Sequence, residues 1–202
     1  MARLKKFYAM TSIDGENGSA DLLAEDHDQL DGLLRSLFKA LDQGDKAAAF
    51  NQLDLLWACL AMHIRAEHLC LFPAVLEALA GRQQPSGGGT PSLTEARQII
   101  ARLRADHDFF MRELAGAVKL MRELQAAPEG DSESDSLRGV RQSIAALSDR
   151  LAAHNSVEEE RVYRWPAMLL DPAEQSALMG RVRREINNLP PRFDRDSMIK
   201  YR

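Results

Sequence analysis

Apolar residues recur along this chain at steps of three and four, and in each run the period is carried through histidine or glutamate. The first run reads Leu23, His27, Leu30, Leu34, Leu37, Leu41, and the second Leu53, Leu56, Leu60, His63, Glu67, Cys70, Ala74. The third reads Ile100, Leu103, His107, Phe110, Leu114, Ala117, Met121, Leu124; the fourth reads Val140, Ile144, Leu147, Leu151, His154, Glu158 and loses its period near Val162 and Trp165. Steps of this kind mark one face of an α-helix, and no two-residue alternation points to strands. Four amphipathic helices must bury these faces against one another, which predicts an all-α protein, an antiparallel up-down four-helix bundle.

The connections carry their own signals. Asp42-Gln43-Gly44-Asp45 is a turn, and the Gly, Pro and Ser-rich stretch from Gly81 to Ser92 is a loop. Ser92-Leu93-Thr94-Glu95 has the form of a capping box that opens the third helix. The polar, acidic stretch Ala126 to Ser136 is a solvated connection. Asp171-Pro172-Ala173-Glu174 combines an N-cap, a proline at the first helical position and an acidic first turn, so an additional C-terminal helix is predicted to about Asn188, ended by Pro190-Pro191. The expected organisation is an N-terminal arm over 1–20, the bundle over 21–170, and a helix with a tail over 171–202 that packs on the bundle or on a partner.

Six polar residues occupy seam positions that elsewhere hold leucine, isoleucine or phenylalanine: His27, His63, Glu67, His107, His154 and Glu158. Burying a carboxylate without a partner costs several kcal/mol. A cation removes that cost, and imidazole nitrogen with carboxylate oxygen is a ligand set for a first-row transition metal. The depths agree. His27 lies 15 residues before Asp42 and His63 lies 17 after Lys46, so antiparallel helices bring them level. Glu67 precedes Gly81 by 14 residues and His107 follows Ser92 by 15, which delivers all four helices' ligands to one layer.

Composition narrows the function without choosing it. The 202 residues are 45% hydrophobic and 28% charged, with a formal charge of −4, ordinary for a globular protein and no footprint for nucleic acid. The N-terminus has no apolar run of signal length, and no stretch approaches about 20 uninterrupted apolar residues, so no membrane partner is expected. A cytoplasmic location follows as the expectation. Cys59 and Cys70 are 11 residues apart on one predicted helix, too far to bridge, and reduced thiols fit that compartment.

An internal repeat supports the bundle. Glu25-Asp26-His27-Asp28 is echoed by Ala105-Asp106-His107-Asp108, and His63-x3-Glu67 through Leu71-Phe72-Pro73 is echoed by His154-x3-Glu158 through Trp165-Pro166. At these residues the chain resembles the hemerythrin-like, or HHE cation-binding, family, four-helix bundles that hold a non-haem di-iron centre. The resemblance covers about Asp21 to Leu170. It implies that His27, His63, Glu67, His107, His154 and Glu158 are ligands of two iron ions, with Glu67 and Glu158 bridging them; manganese or zinc can take the same ligands.

Two departures matter. Oxygen-carrying members have a second histidine one turn away on the third helix, where this chain has Leu103 and Met111. Many members have glutamate after the first His-x3-Glu, where this chain has His68, a replacement ligand or a surface residue. Six protein ligands leave positions for water, hydroxide, dioxygen or nitric oxide, which implies binding or sensing of dioxygen, nitric oxide or peroxide, or protection against them, more than reversible carriage.

Two rival readings accompany this one, and whether the protein is an enzyme stays open. A di-iron oxidase or peroxidase, or an iron-sulfur repair protein, would use the same centre; the cysteine-bearing N-terminal segment usual in repair proteins has no counterpart, since neither cysteine precedes residue 59. An interaction module with a structural metal would use the fifth helix, whose Arg181, Arg183 and Arg184 offer a basic surface, to engage a partner or a second copy. Asp26, Asp28, Asp106 and Asp108 flank the histidines and are expected to be mostly solvated, with an outer-partner role for any that reach an imidazole. Trp57, Phe72, Phe110 and Trp165 are expected to wall the site, and Cys59 and Cys70 to fill core.

Overall fold

A computed structural model of the chain describes residues 19–82, 90–126 and 133–193. Among these there are seven α-helices and no strand: α1 (Ser19–Asp42), α2 (Lys46–Ala66), α3 (Phe72–Ala80), α4 (Leu93–Ala126), α5 (Glu133–Glu160), α6 (Trp165–Leu169) and α7 (Pro172–Ile186). One π-helical turn, Glu67–Leu71, joins α2 to α3, and 3-10 turns stand at Val162–Arg164 and Pro191–Phe193. The arm over 1–18, positions 83–89 of the Gly-rich connection, 127–132 of the acidic one and the tail over 194–202 lie outside the described residues.

The predicted four-helix bundle is present. α1 packs on α2 and α5, and α4 packs on α5 and α2, which closes the four into a ring. Gly44 turns the first hairpin at φ +68°, a conformation glycine adopts without a Cβ penalty. Asp45 then caps α2 by accepting from the Ala48 N–H at 2.9 Å. At the start of α4 the Ser92 hydroxyl accepts from the Glu95 N–H at 3.1 Å, but the Glu95 carboxylate, expected to complete the box, bonds Arg161 instead. At α7 both halves of the box form between Asp171 and Glu174.

The seams of α1, α4 and α5 are buried as the period predicts. That of the second helix is buried from Leu53 to Cys70 and then shifts. Its buried face passes from Cys70 to Leu71, Phe72, Val75 and Leu79, leaving the predicted Ala74 only partly buried. The π turn causes the change, because one i→i+5 step widens the turn and rotates everything beyond it. Pro73 explains why the turn is there: it has no N–H to give back along the helix, and its ring would meet the carbonyl one turn earlier.

α7 lies on α1 and α2 and buries Leu178 and Val182 completely, so its apolar face is used within the chain. Arg65 on α2 holds Glu185 of α7 at 2.6 Å, and Arg192 beyond it reaches Asp54 at 2.8 Å. Arg181, Arg183 and Arg184 remain exposed. The helical run Lys46–Ala80 is long and apolar enough to cross a bilayer, yet α1, α4 and α7 pack on it and its inward face carries His63 and Glu67. The buried hydrophobics fall into two clusters, one from Leu30, Leu56, Phe110 and Leu151 away to the far end, the other around Leu23, Phe72, Leu103 and Trp165. Between these apolar blocks lies a polar layer.

Candidate metal centre

The six residues singled out in the seams form that layer. His27, His63, His107 and His154 are 2–3% exposed, and Glu67 and Glu158 are fully buried. Each His-x3-Glu pair sits on one helix face, with His63 Nε2 at 3.6 Å from Glu67 Oε1 and His154 Nε2 at 3.0 Å from Glu158 Oε1. The imidazoles meet in twos: His27 and His63 approach at 3.2 Å and His107 and His154 at 2.9 Å, in both cases Nε2 to Nε2.

Each carboxylate serves both pairs. Glu67 turns Oε1 toward His63 and places Oε2 at 3.2 Å from His107 Nε2. Glu158 places Oε2 at 3.4 Å from His27 Nε2 and Oε1 at 3.0 Å from His154 Nε2. Glu67 Oε2 and Glu158 Oε1 are buried without a hydrogen-bond partner. Two groups result whose donor atoms all lie within 4.8 Å of one another: His27, His63 and Glu158, and Glu67, His107, His154 and Glu158. Either could hold a metal ion, and Glu158 belongs to both.

The outward nitrogens are engaged too. His63 Nδ1 donates to Asp26 at 2.8 Å, and His154 Nδ1 faces Asp106 at 3.4 Å, with Arg150 bonding the same aspartate at 2.8 Å. In each hairpin, the aspartate preceding the first histidine holds the second. Both aspartates are buried, against the expectation of solvation, while Asp28 and Asp108 are exposed as expected. His27 Nδ1 donates to Glu159 at 2.7 Å. Since a carboxylate only accepts, Nδ1 carries the proton in the neutral rings and Nε2 turns its lone pair inward.

His107 breaks the symmetry. Its Nδ1 meets Nε2 of His68 at 2.9 Å. His68 follows Glu67 as Glu159 follows Glu158, so the two occupy equivalent places. It is neither an inward donor nor a free surface residue: it is half-buried and supports the back of His107.

One inward residue was not among those expected. Tyr163 is buried, and its hydroxyl donates to Glu67 Oε1 at 2.8 Å while standing 3.2 Å from Glu158 Oε2 and 3.1 Å from His27 Nε2. On an uninterrupted helix Tyr163 would sit about 140° around from Glu158. The break at Arg161 and the following 3-10 turn swing it inward. Its place five residues after Glu158, matching Phe72 after Glu67, was the signal available in the repeat.

The aromatic wall is real in part. Phe72 stacks on His107 at 6.3 Å and Phe110 meets His154 edge-on at 5.2 Å, whereas Trp165 is buried in the second cluster and Trp57 is half-buried against the first. Cys59 and Cys70 are free thiols packed with the same two clusters, and burial pushes Cys59 up to about 12.

The groups of the layer shift one another's protonation. Burial, then the neighbouring Glu67, pushes Glu158 up to about 7. Burial would raise Glu67 as well, but His63, His107 and His154 outweigh it and hold its carboxyl far below the ordinary range. Burial disfavours a charged His63, yet Glu67, Asp26 and Glu158 lift it to about 9. His154 and His68 are lowered, both chiefly by burial, and the Tyr163 phenol is held well above its ordinary value by burial and by Glu158 and Glu67.

A family model described as the hemerythrin HHE cation binding domain matches residues 18–166. No curated protein and no solved structure matched the chain. The match covers the whole ring of four helices and the polar layer within it. The chain belongs to the hemerythrin HHE cation-binding domain family, and is a metal-binding helical protein.

Proposed function

We propose that this protein holds two non-haem iron ions between His27, His63, Glu67, His107, His154 and Glu158, and that the centre meets dioxygen, nitric oxide or peroxide in sensing, sequestration or protection. The observation that carries this reading is the division of each glutamate's oxygens between the two histidine pairs, with one oxygen of each left without a hydrogen bond. That is the disposition a carboxylate needs to bridge two ions. Histidine with carboxylate suits iron and manganese, and zinc can take the same set. Bound iron would supply the redox and Lewis-acid chemistry. The chain supplies orientation through Asp26, Asp106, Glu159 and His68, and apolar walls above and below that exclude water. A cytoplasmic setting is part of the proposal, supported by two free thiols.

Metal analysis of protein produced without added zinc tests it. The expected result is two iron or manganese ions per chain; fewer than one, with the six residues intact, overturns the reading. Stopped-flow mixing of the reduced protein with dioxygen or peroxide then separates a binding protein, which gives a persistent spectral change, from an oxidase or peroxidase, which turns peroxide over.

A further inference from the structure

Tyr163 and Phe72 are counterparts. Each follows a site glutamate by five residues, and each ring lies on the first histidine of the opposite hairpin, Tyr163 on His27 at 5.5 Å and Phe72 on His107 at 6.3 Å. They differ by one oxygen. On the Tyr163 side four inward atoms stand in a row: Glu158 Oε2 is 3.4 Å from His27 Nε2, which is 3.2 Å from His63 Nε2, and that in turn is 3.6 Å from Glu67 Oε1. The phenol oxygen lies 3.1, 3.4, 2.8 and 3.2 Å from His27, His63, Glu67 and Glu158 in that order.

Bonds of roughly 2.0–2.2 Å from metal to nitrogen or oxygen put neighbouring donors of an octahedral set about 3 Å apart. The phenol oxygen, at 3.1, 3.4 and 3.2 Å from His27, His63 and Glu158, therefore has the spacing of a further member of that donor group. The phenol has a single proton, which Glu67 takes, so its oxygen meets Glu158 Oε2 at 3.2 Å as an acceptor facing an acceptor, an approach that hydrogen bonding does not account for.

We propose that Tyr163 is a fifth protein donor to the metal position of His27 and His63, and that a small exogenous ligand consequently binds at the position of His107 and His154. This rests on the two-metal reading above. Coordination releases the phenol proton to solvent, as metal binding does for other protonated ligands. On the opposite half Phe72 brings no oxygen and Leu103, one turn from His107, brings no donor. A surface cavity of about 300 Å³ lined by Leu103, Asp106, Arg150 and His154 borders the outer side of that half.

The experiment uses the full chain, loaded with iron, oxidised in air and counted for iron before any spectrum is taken. With two irons per chain, the ferric protein is expected to show a visible phenolate-to-iron charge-transfer band and phenolate modes in resonance Raman. Both are lost in Tyr163→Phe at unchanged iron content and kept in the double variant Tyr8→Phe/Tyr201→Phe, which removes the other two tyrosines. Added azide is expected to bring its own charge-transfer band and leave the phenolate modes in place. Two irons without phenolate modes in the unmodified protein overturn the inference while leaving the two-metal reading intact. Azide that abolishes the phenolate modes overturns the assignment of the open half, and fewer than one iron per chain overturns the two-metal reading and this inference together. The unmodified protein's Raman spectrum decides the matter even if Tyr163→Phe does not fold.

Discussion

Asp26 on α1 accepts from Nδ1 of His63 on α2 at 2.8 Å, so the residue beside one site histidine orients the other. Outer partners of this kind are worth roughly 10–100-fold in metal affinity. Asp26→Ala is expected to weaken metal retention by that order in a chelator competition, with helical content unchanged. Asp106→Ala is expected to cost less, because its contact with His154 is longer, at 3.4 Å, and is shared with Arg150. Equal affinities for Asp26→Ala and the unmodified protein would remove the orienting role.

His68 stands where the other half of the site has Glu159. A carboxylate behind an imidazole makes it a better donor to a metal than a neutral ring does. His68→Glu should therefore tighten one of the two binding steps by about tenfold, within the range for such partners, and leave the other step alone. Titration of the metal-free protein with two equivalents of metal reads both steps; a shift in neither counts against the pairing seen here.

The metal-free protein should lose stability as pH rises, while the stabilisation that metal adds should grow. His63 rises from 6.5 in the unfolded chain to about 9 in the fold, so its contribution is complete below 6.5 and is lost as pH climbs through 9. Glu158 rises from 4.5 to about 7, so the fold favours its protonated form and loses that contribution as pH passes 7. The metal-free protein's melting temperature is expected to fall between about pH 6 and pH 9. Metal binding needs deprotonated ligands, so the rise in melting temperature on adding metal should grow over that range. Parallel melting curves at all pH values would contradict this.

Replacing Glu158 by glutamine separates site from fold. At pH 8 the buried carboxylate, raised to about 7, is forced to ionise, and the amide has no such cost. Glu158→Gln should raise the metal-free protein's melting temperature, at roughly 2–4 °C per kcal/mol for a chain of this size. Metal content should drop in the same variant, since Glu158 belongs to both donor groups. A calorimetric scan with metal analysis on one preparation checks both halves.

The C-terminal helix is expected to behave as part of the bundle. Leu178 is fully buried where α7 meets α1 and α2, and truncating such a leucine costs about 2–5 kcal/mol. Leu178→Ala should lower the denaturant midpoint of one cooperative transition followed by helical signal. An unchanged midpoint would mean that α7 folds independently.

The one-dimensional pattern carried the bundle and the six polar residues, because both depend on what a helix repeats every turn. His27, His63, Glu67, His107, His154 and Glu158 stood out since they interrupt apolar seams at equal distances from the chain reversals, and a regular rise carries that depth into space. The capping box at Asp171 was equally legible, being a local affair of four residues. Where helical geometry changes, the pattern fails. The π turn at Glu67–Leu71 and the break at Arg161 depend on Pro73 and on packing beyond the helix, and they decide which way Phe72 and Tyr163 face.

Side chains one residue off a seam were legible only as candidates, without their partners. Asp26, Asp106, Glu159 and His68 lie beside the ligand face, and only the approach of a second helix brings them onto an imidazole's outer nitrogen. Sequence alone determined that four helices bury four imidazoles and two carboxylates at one level. Only the tertiary structure decided how each carboxylate divides its oxygens, which histidine each outer partner holds, and that a phenol reaches one half of the site and not the other. These depend on the mutual rotation of packed helices, which no periodicity along a single chain contains.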